Sequence, residues 1–303
     1  MSTLDVAHSY TFAAATPRPL FVHVPNVRIV VRSHDASELA VEIRSDAPPE
    51  ELETLLNRLN LTTRAAEETV RIQTDMRRQQ KRASWWRTQE SSAWPVTLHI
   101  RMPPGTHADL QAPGGSIDME GVRGQITAEC AGGAIDIQDV QGRLDVKAFN
   151  GTVNISDVEG SVLSVCGAGR SVKLHDIAAD ETRLWTASAS TDLRAITGTL
   201  QLTTHGGSTR AVSLAGPLQA DVHGGTGRIH LPPAPARVHA PGADLTMRLA
   251  HPCQLDVEAQ VLETPPSLPL AAKTVQHASG AFMGGGPSVK ASAMGGRLAL
   301  ETA

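Results

Sequence analysis

Gly114-Gly115-Ser116-Ile117-Asp118-Met119 returns eighteen residues later as Gly132-Gly133-Ala134-Ile135-Asp136-Ile137, and again as Asn150-Gly151-Thr152-Val153-Asn154-Ile155. A short strand preceded by a glycine turn, repeated at a fixed period, describes a chain that winds into coils, each resting on the last. Within the strand the apolar residues are two apart, so Ile117 and Met119 point to one side and Asp118 to the other. The repeat extends outward from this core over residues 108–262. One strand of each coil carries pairs such as Ile126/Ala128, Leu144/Val146, Leu200/Leu202 and Ala236/Val238. A second carries Ile135/Ile137, Val172/Leu174, Thr191/Leu193, Gly227/Ile229 and Leu245/Met247. A third inward position is Val122, Val140, Val158, Ile177, Ile196 and Leu214.

No single coil covers its own apolar stripe. Stacking coils in register buries all of them, at roughly 1.5–3 kcal/mol per large aliphatic side chain. The glycines at 115, 133, 151, 207 and 225, and at 124, 142, 160, 198 and 216, fall at the corners, where a left-handed φ is expected. Two coils run to nineteen residues, with extra residues near Arg170 and near Ala179-Asp180, expected as corner bulges. The predicted fold is therefore all-β, a single-chain β-solenoid of about 18-residue coils. Composition agrees. Hydrophobic residues make up 41% but aromatics only 3%, so the interior must be filled by Val, Ile, Leu and Ala.

The flanks read differently. Residues 1–107 are expected to form a small β-rich cap. It has strands at 20–24 and 27–31, the latter in a hairpin with 39–43, one short helix over 50–60 opened by Pro48-Pro49, and strands at 70–72 and 96–100. Residues 76–94 break the pattern. They form a basic, tryptophan-bearing loop with Arg77, Arg78, Lys81, Arg82, Trp85, Trp86 and Arg87. That composition suits contact with phosphates, headgroups or a partner, or equally tryptophans tucked onto the sheet. A Pro/Gly-rich loop is expected over 263–288. Residues 289–303 form a terminal coil, because Val289-Lys290-Ala291-Ser292-Ala293 onward reproduces 126–137 position by position.

The strand Val96-Thr97-Leu98-His99-Ile100-Arg101-Met102-Pro103-Pro104-Gly105, followed at once by the Gly114 motif and its echoes, resembles the putative-adhesin β-strand-repeat family, a bacterial domain of unknown function. The resemblance covers residues 20–303. It implies a β-solenoid with an N-terminal cap and no established enzymatic activity, and it offers no catalytic residues to carry over. The helix at 50–60 and the Arg/Trp loop look like additions to the family pattern.

Candidate chemistry was weighed along the outward faces. Asp118, Asp136, Asn154, Lys173, Asp192, Arg210 and Arg228 form one ladder, and Asp139, Asp157 and Asp176 a shorter one. Stacked carboxylates suit Ca²⁺ or acid–base cleavage of a polysaccharide. The change of sign at Lys173 and Arg210 favours cross-coil charge pairing. His205 and His223 fall at the same corner one coil apart, but no third ligand stands in matching register for a zinc site. Cys130, Cys166 and Cys253 form no Cys-x-x-Cys pair and are read as buried or half-buried thiols. The expected function is a non-enzymatic structural or protein-interaction scaffold with a protein partner, capable of self-association. No cofactor, metal or small-molecule substrate is expected. One alternative is a carbohydrate-binding or polysaccharide-cleaving solenoid. Another is a membrane- or nucleic-acid-associated scaffold acting through the 77–87 loop, disfavoured by the net charge of −4. No signal or apolar span is visible, so a cytoplasmic location is the expectation.

Overall fold

The computed structural model describes residues 5–13, 18–45, 61–65, 69–74, 96–264, 271–274 and 277–302, and every regular element among them is a β-strand. The short helix expected over 50–60 lies outside the described residues. The chain divides into two compact units, Met1–Ala148 and Phe149–Ala303.

The first unit holds β1 (Asp5–Ala13), β2 (Leu20–His23), β3 (Arg28–Ser33), β4 (Glu38–Ser45), β5 (Leu61–Ala65), β6 (Val70–Thr74), β7 (Val96–Met102), β8 (Ala108–Pro113) and β9 (Ser116–Ala131). The long β10 (Ala134–Ala187) runs from it into the second unit. Two columns of rungs form. In one, β2 lies parallel between β6 and β8, so Leu20 pairs with Val70 on one side and Ala108 on the other. In the other, β3 lies parallel between β7 and β9, with Ile29 between Leu98 and Ile117. Residues 20–33 are thus a coil of the stack, seated between the β6–β7 coil and the β8–β9 coil. The antiparallel strands β4 and β1 cover β7, and β5 covers β6.

The expected hairpin between 27–31 and 39–43 does not form, because β7 stands between those strands. β7 runs parallel to β3 and continues the column of rungs, with Ile29 on Leu98 and Val31 on Ile100, while β4 closes the outer edge of β7 in antiparallel fashion. Ile29 and Val31 are fully buried and need apolar rungs on both edges. Arg28 and Arg32 find their carboxylate on β9, at Asp118, 2.7 and 2.8 Å away.

The second unit continues with β11 (Ser190–His205), β12 (Ser208–Ala215), β13 (Leu218–His223), β14 (Thr226–His230), β15 (Ala236–His239), β16 (Asp244–Leu249), β17 (Cys253–Glu263), β18 (Ala271–Thr274), β19 (His277–Phe282) and β20 (Ser288–Thr302). The eighteen-residue register is direct: Leu200 pairs with Leu218 and Leu218 with Ala236, while Thr209 pairs with Gly227 and Gly227 with Leu245. From β10 to β11 the rungs are nineteen apart as far as Ala178, with Val172 on Thr191, and eighteen apart from Glu181 on, with the extra residue at Ala179-Asp180, where the register shifts.

At the C-terminal end the winding order departs from chain order. β20, not β17, stacks on the β15–β16 coil, with Ala236 on Val289 and Leu245 on Leu298. β17 pairs in parallel with the outer edge of β20, and β19 then β18 cover β17 in antiparallel fashion. Two strands therefore occupy part of the span read from sequence as a Pro/Gly-rich loop.

The interior is aliphatic, as the composition requires. Ile117, Ile135, Val140, Leu144, Leu174, Leu193 and Leu298 are 0% exposed or nearly so, and the buried hydrophobic set among the described residues contains no aromatic ring. Gly124, Gly142, Gly198, Gly207 and Gly225 hold the expected positive φ, whereas Gly115, Gly133, Gly151, Gly160 and Gly216 do not. A Cβ built on Gly133 would lie 1.6 Å from the Gly115 carbonyl oxygen of the coil below. Its requirement is the close approach of two backbones. The left-handed residue at that corner is its neighbour Gly132, at φ +86°.

Candidate functional site

The sequence-predicted interaction residues Arg77, Arg78, Lys81, Arg82, Trp85, Trp86 and Arg87 lie outside the described residues, in the segment that joins β6 to β7. The chemistry open to examination lies on the outward faces of the coils.

In the N-terminal unit, Asp118 is the hub of a charge cluster. It accepts from Arg28 and Arg32, and Arg32 also reaches Glu120 at 3.0 Å. Burial alone would raise the Asp118 carboxyl, but hydrogen bonds and charges from the two arginines outweigh it and hold the pKa below the usual carboxylate range. Glu42 is lowered by its hydrogen bond from Arg44, against burial, and the charges of Arg44 and Arg101 add to the effect. The Asp118 cluster ties β3 to β9 as well as adding charge. Because the folded pKa lies below the unfolded value, its contribution is present at neutral pH and fades as pH falls below about 4. Asp118→Asn is expected to cost about 1 kcal/mol at pH 7. Urea midpoints measured at pH 7 and pH 3 should differ less in the variant than in the parent.

The shorter ladder has a backbone explanation. Asp139, Asp157 and Asp176 all hold left-handed φ, at 53°, 56° and 55°. Gly121, Ala195 and Ser213 occupy the same corner in other coils, at 67°, 51° and 57°. Aspartate tolerates this conformation better than most residues. Its recurrence there reflects the corner, and among the described residues no group of three His, Cys, Asp or Glu converges on a metal position.

In the C-terminal unit the longer ladder stacks as Lys173, Asp192, Arg210 and Arg228 on successive rungs. Asp192 is engaged by Arg194 at 2.7 Å, and that hydrogen bond lowers its pKa against the effect of burial. Arg228 holds Glu301 only at 3.7 Å. The expected cross-coil charge pairing forms at Asp118, and among the described residues the ion pair of Asp192 is instead with Arg194 of its own strand.

His205 and His223 are stacked neighbours as the register predicted, with ring centroids 4.7 Å apart and planes 10° apart. Trp185 approaches His205 at 5.8 Å, and His239 meets His223 edge-on at 6.4 Å. The rings form a ribbon along the outer face of the first strand. Only His205 and His223 stack face to face; Trp185 is tilted 47° to His205 and 39% exposed.

Cys130 and Cys253 are buried and Cys166 is half-buried. Cys130 donates to the Gly115 carbonyl at 3.1 Å, and burial pushes both it and Cys253 above the ordinary thiol range. A thiol reagent is expected to titrate one cysteine, Cys166, in the native protein and all three after unfolding. Fast labelling of all three without denaturant would contradict this packing.

Among the described residues, two surface cavities are of interest. One in the N-terminal unit, about 180 Å³, has Phe21, Arg71 and Asp109 in its lining, and Arg71 lies 5.1 Å over the Phe21 ring. The other, in the C-terminal unit, is about 270 Å³ and is flanked by Arg228 and Arg297. Sequence reasoning missed this second cavity, because Arg297 reaches Asp244 only through the insertion of β20.

Residues 18–243 match the family model described as Toastrack DUF4097. No curated protein matches the chain. Solved structures that the chain matches include a putative adhesin from Bacteroides fragilis NCTC 9343, at 10% identity over 100% of this chain and 98% of that one, TM-score 0.37. Another from Parabacteroides merdae ATCC 43184 is 8% identical over 97% and 95%, TM-score 0.39. A putative cell adhesion protein from Clostridium sporogenes ATCC 15579 is 7% identical over 98% and 99%, TM-score 0.23.

Proposed function

This chain belongs to the Toastrack DUF4097 family, and on that premise we propose that it is a non-enzymatic, adhesin-like scaffold that presents its outward strand faces to a protein partner. The observation that carries this reading is the fixed rung register. Ser190, Ser208, Thr226 and Asp244 follow one another on neighbouring strands, as do Gln201, Gln219 and Arg237. Such faces hold side chains at a spacing of about 4.8 Å that a partner reads without reordering them.

The test is site-specific photocrosslinking at native expression level, with the crosslinker at Gln219 on one strand face and at Lys173 on the other. The reading expects a discrete adduct at one face, competed away by excess purified protein. Absence of an adduct at both faces sinks it. An adduct of the chain with itself would identify the partner as a second copy.

A further inference from the structure

The 270 Å³ cavity on the second-strand face of the C-terminal unit has the Thr209, Gly227 and Leu245 rungs in its lining. Gly227 occupies an inward position that Thr209 fills in the preceding coil and Leu245 in the next. Leu245 takes the interior space that a side chain at Gly227 would occupy; a Cβ on Gly227 would meet its Cδ1 at 2.6 Å. Around this floor stand Thr226, Arg228, Asp244, Thr246 and Arg297. The Arg297 backbone N–H donates to Asp244 at 3.1 Å, which fixes that carboxylate at the rim. Both guanidinium groups are more than half exposed and only loosely held, Arg228 by Glu301 at 3.7 Å and Arg297 by Glu263 at 3.3 Å.

The field around the cavity is positive. Arg210 lies one rung from Arg228, and Arg248 pairs in register with His230. The His230 pKa is lowered, by burial first and then by Arg248, Arg210 and Arg228. Among the described residues no ion pair holds Arg210 or Arg248.

We propose that this cavity binds an acidic saccharide, its carboxylate or sulfate held by Arg228 and Arg297 and its hydroxyls by Asp244, Thr226 and Thr246. Guanidinium forks match planar oxyanions, and a fixed carboxylate with two hydroxyls matches a vicinal diol. The mixture selects the class. Asp244 and Glu301 oppose a bare polyanion such as nucleic acid, while a neutral sugar leaves the two arginines unanswered. The site shares Thr226 and Asp244 with one of the strand faces offered to a partner, but saccharide binding is tested on the purified protein and does not depend on that reading.

The test titrates the whole protein with trigalacturonate, a sulfated heparin disaccharide, maltotriose and a short single-stranded oligodeoxynucleotide, at low and high salt. At least one acidic sugar is expected to bind with a Kd below about 1 mM, more weakly as salt rises, with maltotriose silent. The carboxylate and sulfate probes distinguish the two anionic groups. Arg228→Gln is expected to weaken binding roughly tenfold or more, the loss of a charge-assisted pair. Thr226→Val should weaken it about threefold. Arg183→Gln, on the other strand face, should change nothing. The Arg228 side chain is exposed, so its variant keeps the fold, checked by melting. No binding of either acidic sugar, equal binding of the oligodeoxynucleotide or maltotriose, or an unaffected Arg228→Gln would each overturn the proposal.

Discussion

Ending the chain before Ser288 is expected to unfold the C-terminal coils, although it removes only the last strand in the sequence. β20 is an interior rung, pairing with β15 and β16 along one edge and with β17 along the other. Its Val289, Leu298 and Leu300 are buried, at 0%, 0% and 4% exposure. Burial of three such aliphatic side chains amounts to roughly 5–9 kcal/mol. That is comparable to the whole net stability of a typical domain. Truncation also strips hydrogen-bond partners from two strand edges at once and opens a row of unpaired backbone groups to other chains. The expected outcome is a protein that aggregates, or melts at least 20 °C below the parent. Adding residues 286–303 as a peptide should restore part of the lost melting temperature. If the truncated chain stays soluble with an unchanged melting curve, β20 is not an interior rung.

The middle of each unit was legible because eighteen-residue periodicity states which side chains face inward. Leu193, Ala211 and Ile229 could be assigned to the interior without knowing a single contact. Periodicity does not state which rung pairs with which. The two edges of a parallel rung offer the same backbone groups, so residues 20–33 and 288–302 read equally well as end pieces or as inserted coils. A signal was present at the N-terminus. Leu20 and Val22 precede Ile29 and Val31 by the same nine residues that separate Ala108 and Leu110 from Ile117 and Met119. Asn26 falls where Gly114 falls and shares its left-handed φ, 57° against 74°. At the C-terminus the copy of 126–137 was visible, but its place in the stack was not. The cavity beside Arg228 inherits that blindness, since Asp244 and Arg297 are adjacent only after β20 has inserted. The corner aspartates illustrate the opposite error. A column of carboxylates invites a metal or acid–base reading, yet what recurs is a backbone conformation that Gly121, Ala195 and Ser213 satisfy equally.

Gly198→Ala is expected to destabilise the C-terminal unit by about 3–5 kcal/mol, far more than one methyl group normally costs. Two independent requirements meet at this residue. Its φ is +87°, in the region where a Cβ is unfavourable by roughly 1–2 kcal/mol. A Cβ there would also lie 1.8 Å from the Ala179 carbonyl oxygen and 3.0 Å from that of Asp180. Those two residues are the bulge that stretches their coil to nineteen. The register passes from Ala178 opposite Thr197 to Glu181 opposite Thr199, so Ala179 and Asp180 together face Gly198 alone. Two residues bulging against one press the backbone into the space a side chain would need. Neither partner is a flexible side-chain end, so relief requires the rungs to separate, which strains the pairing of Ile177 with Ile196 and Thr182 with Leu200. Gly198→Ala combined with deletion of Asp180 restores an eighteen-residue spacing and should recover more than half of the loss. Chemical denaturation of the parent, the single variant and the combined variant measures this. If Gly198→Ala alone costs less than about 1 kcal/mol, or the deletion deepens the loss, the bulge does not impose the glycine.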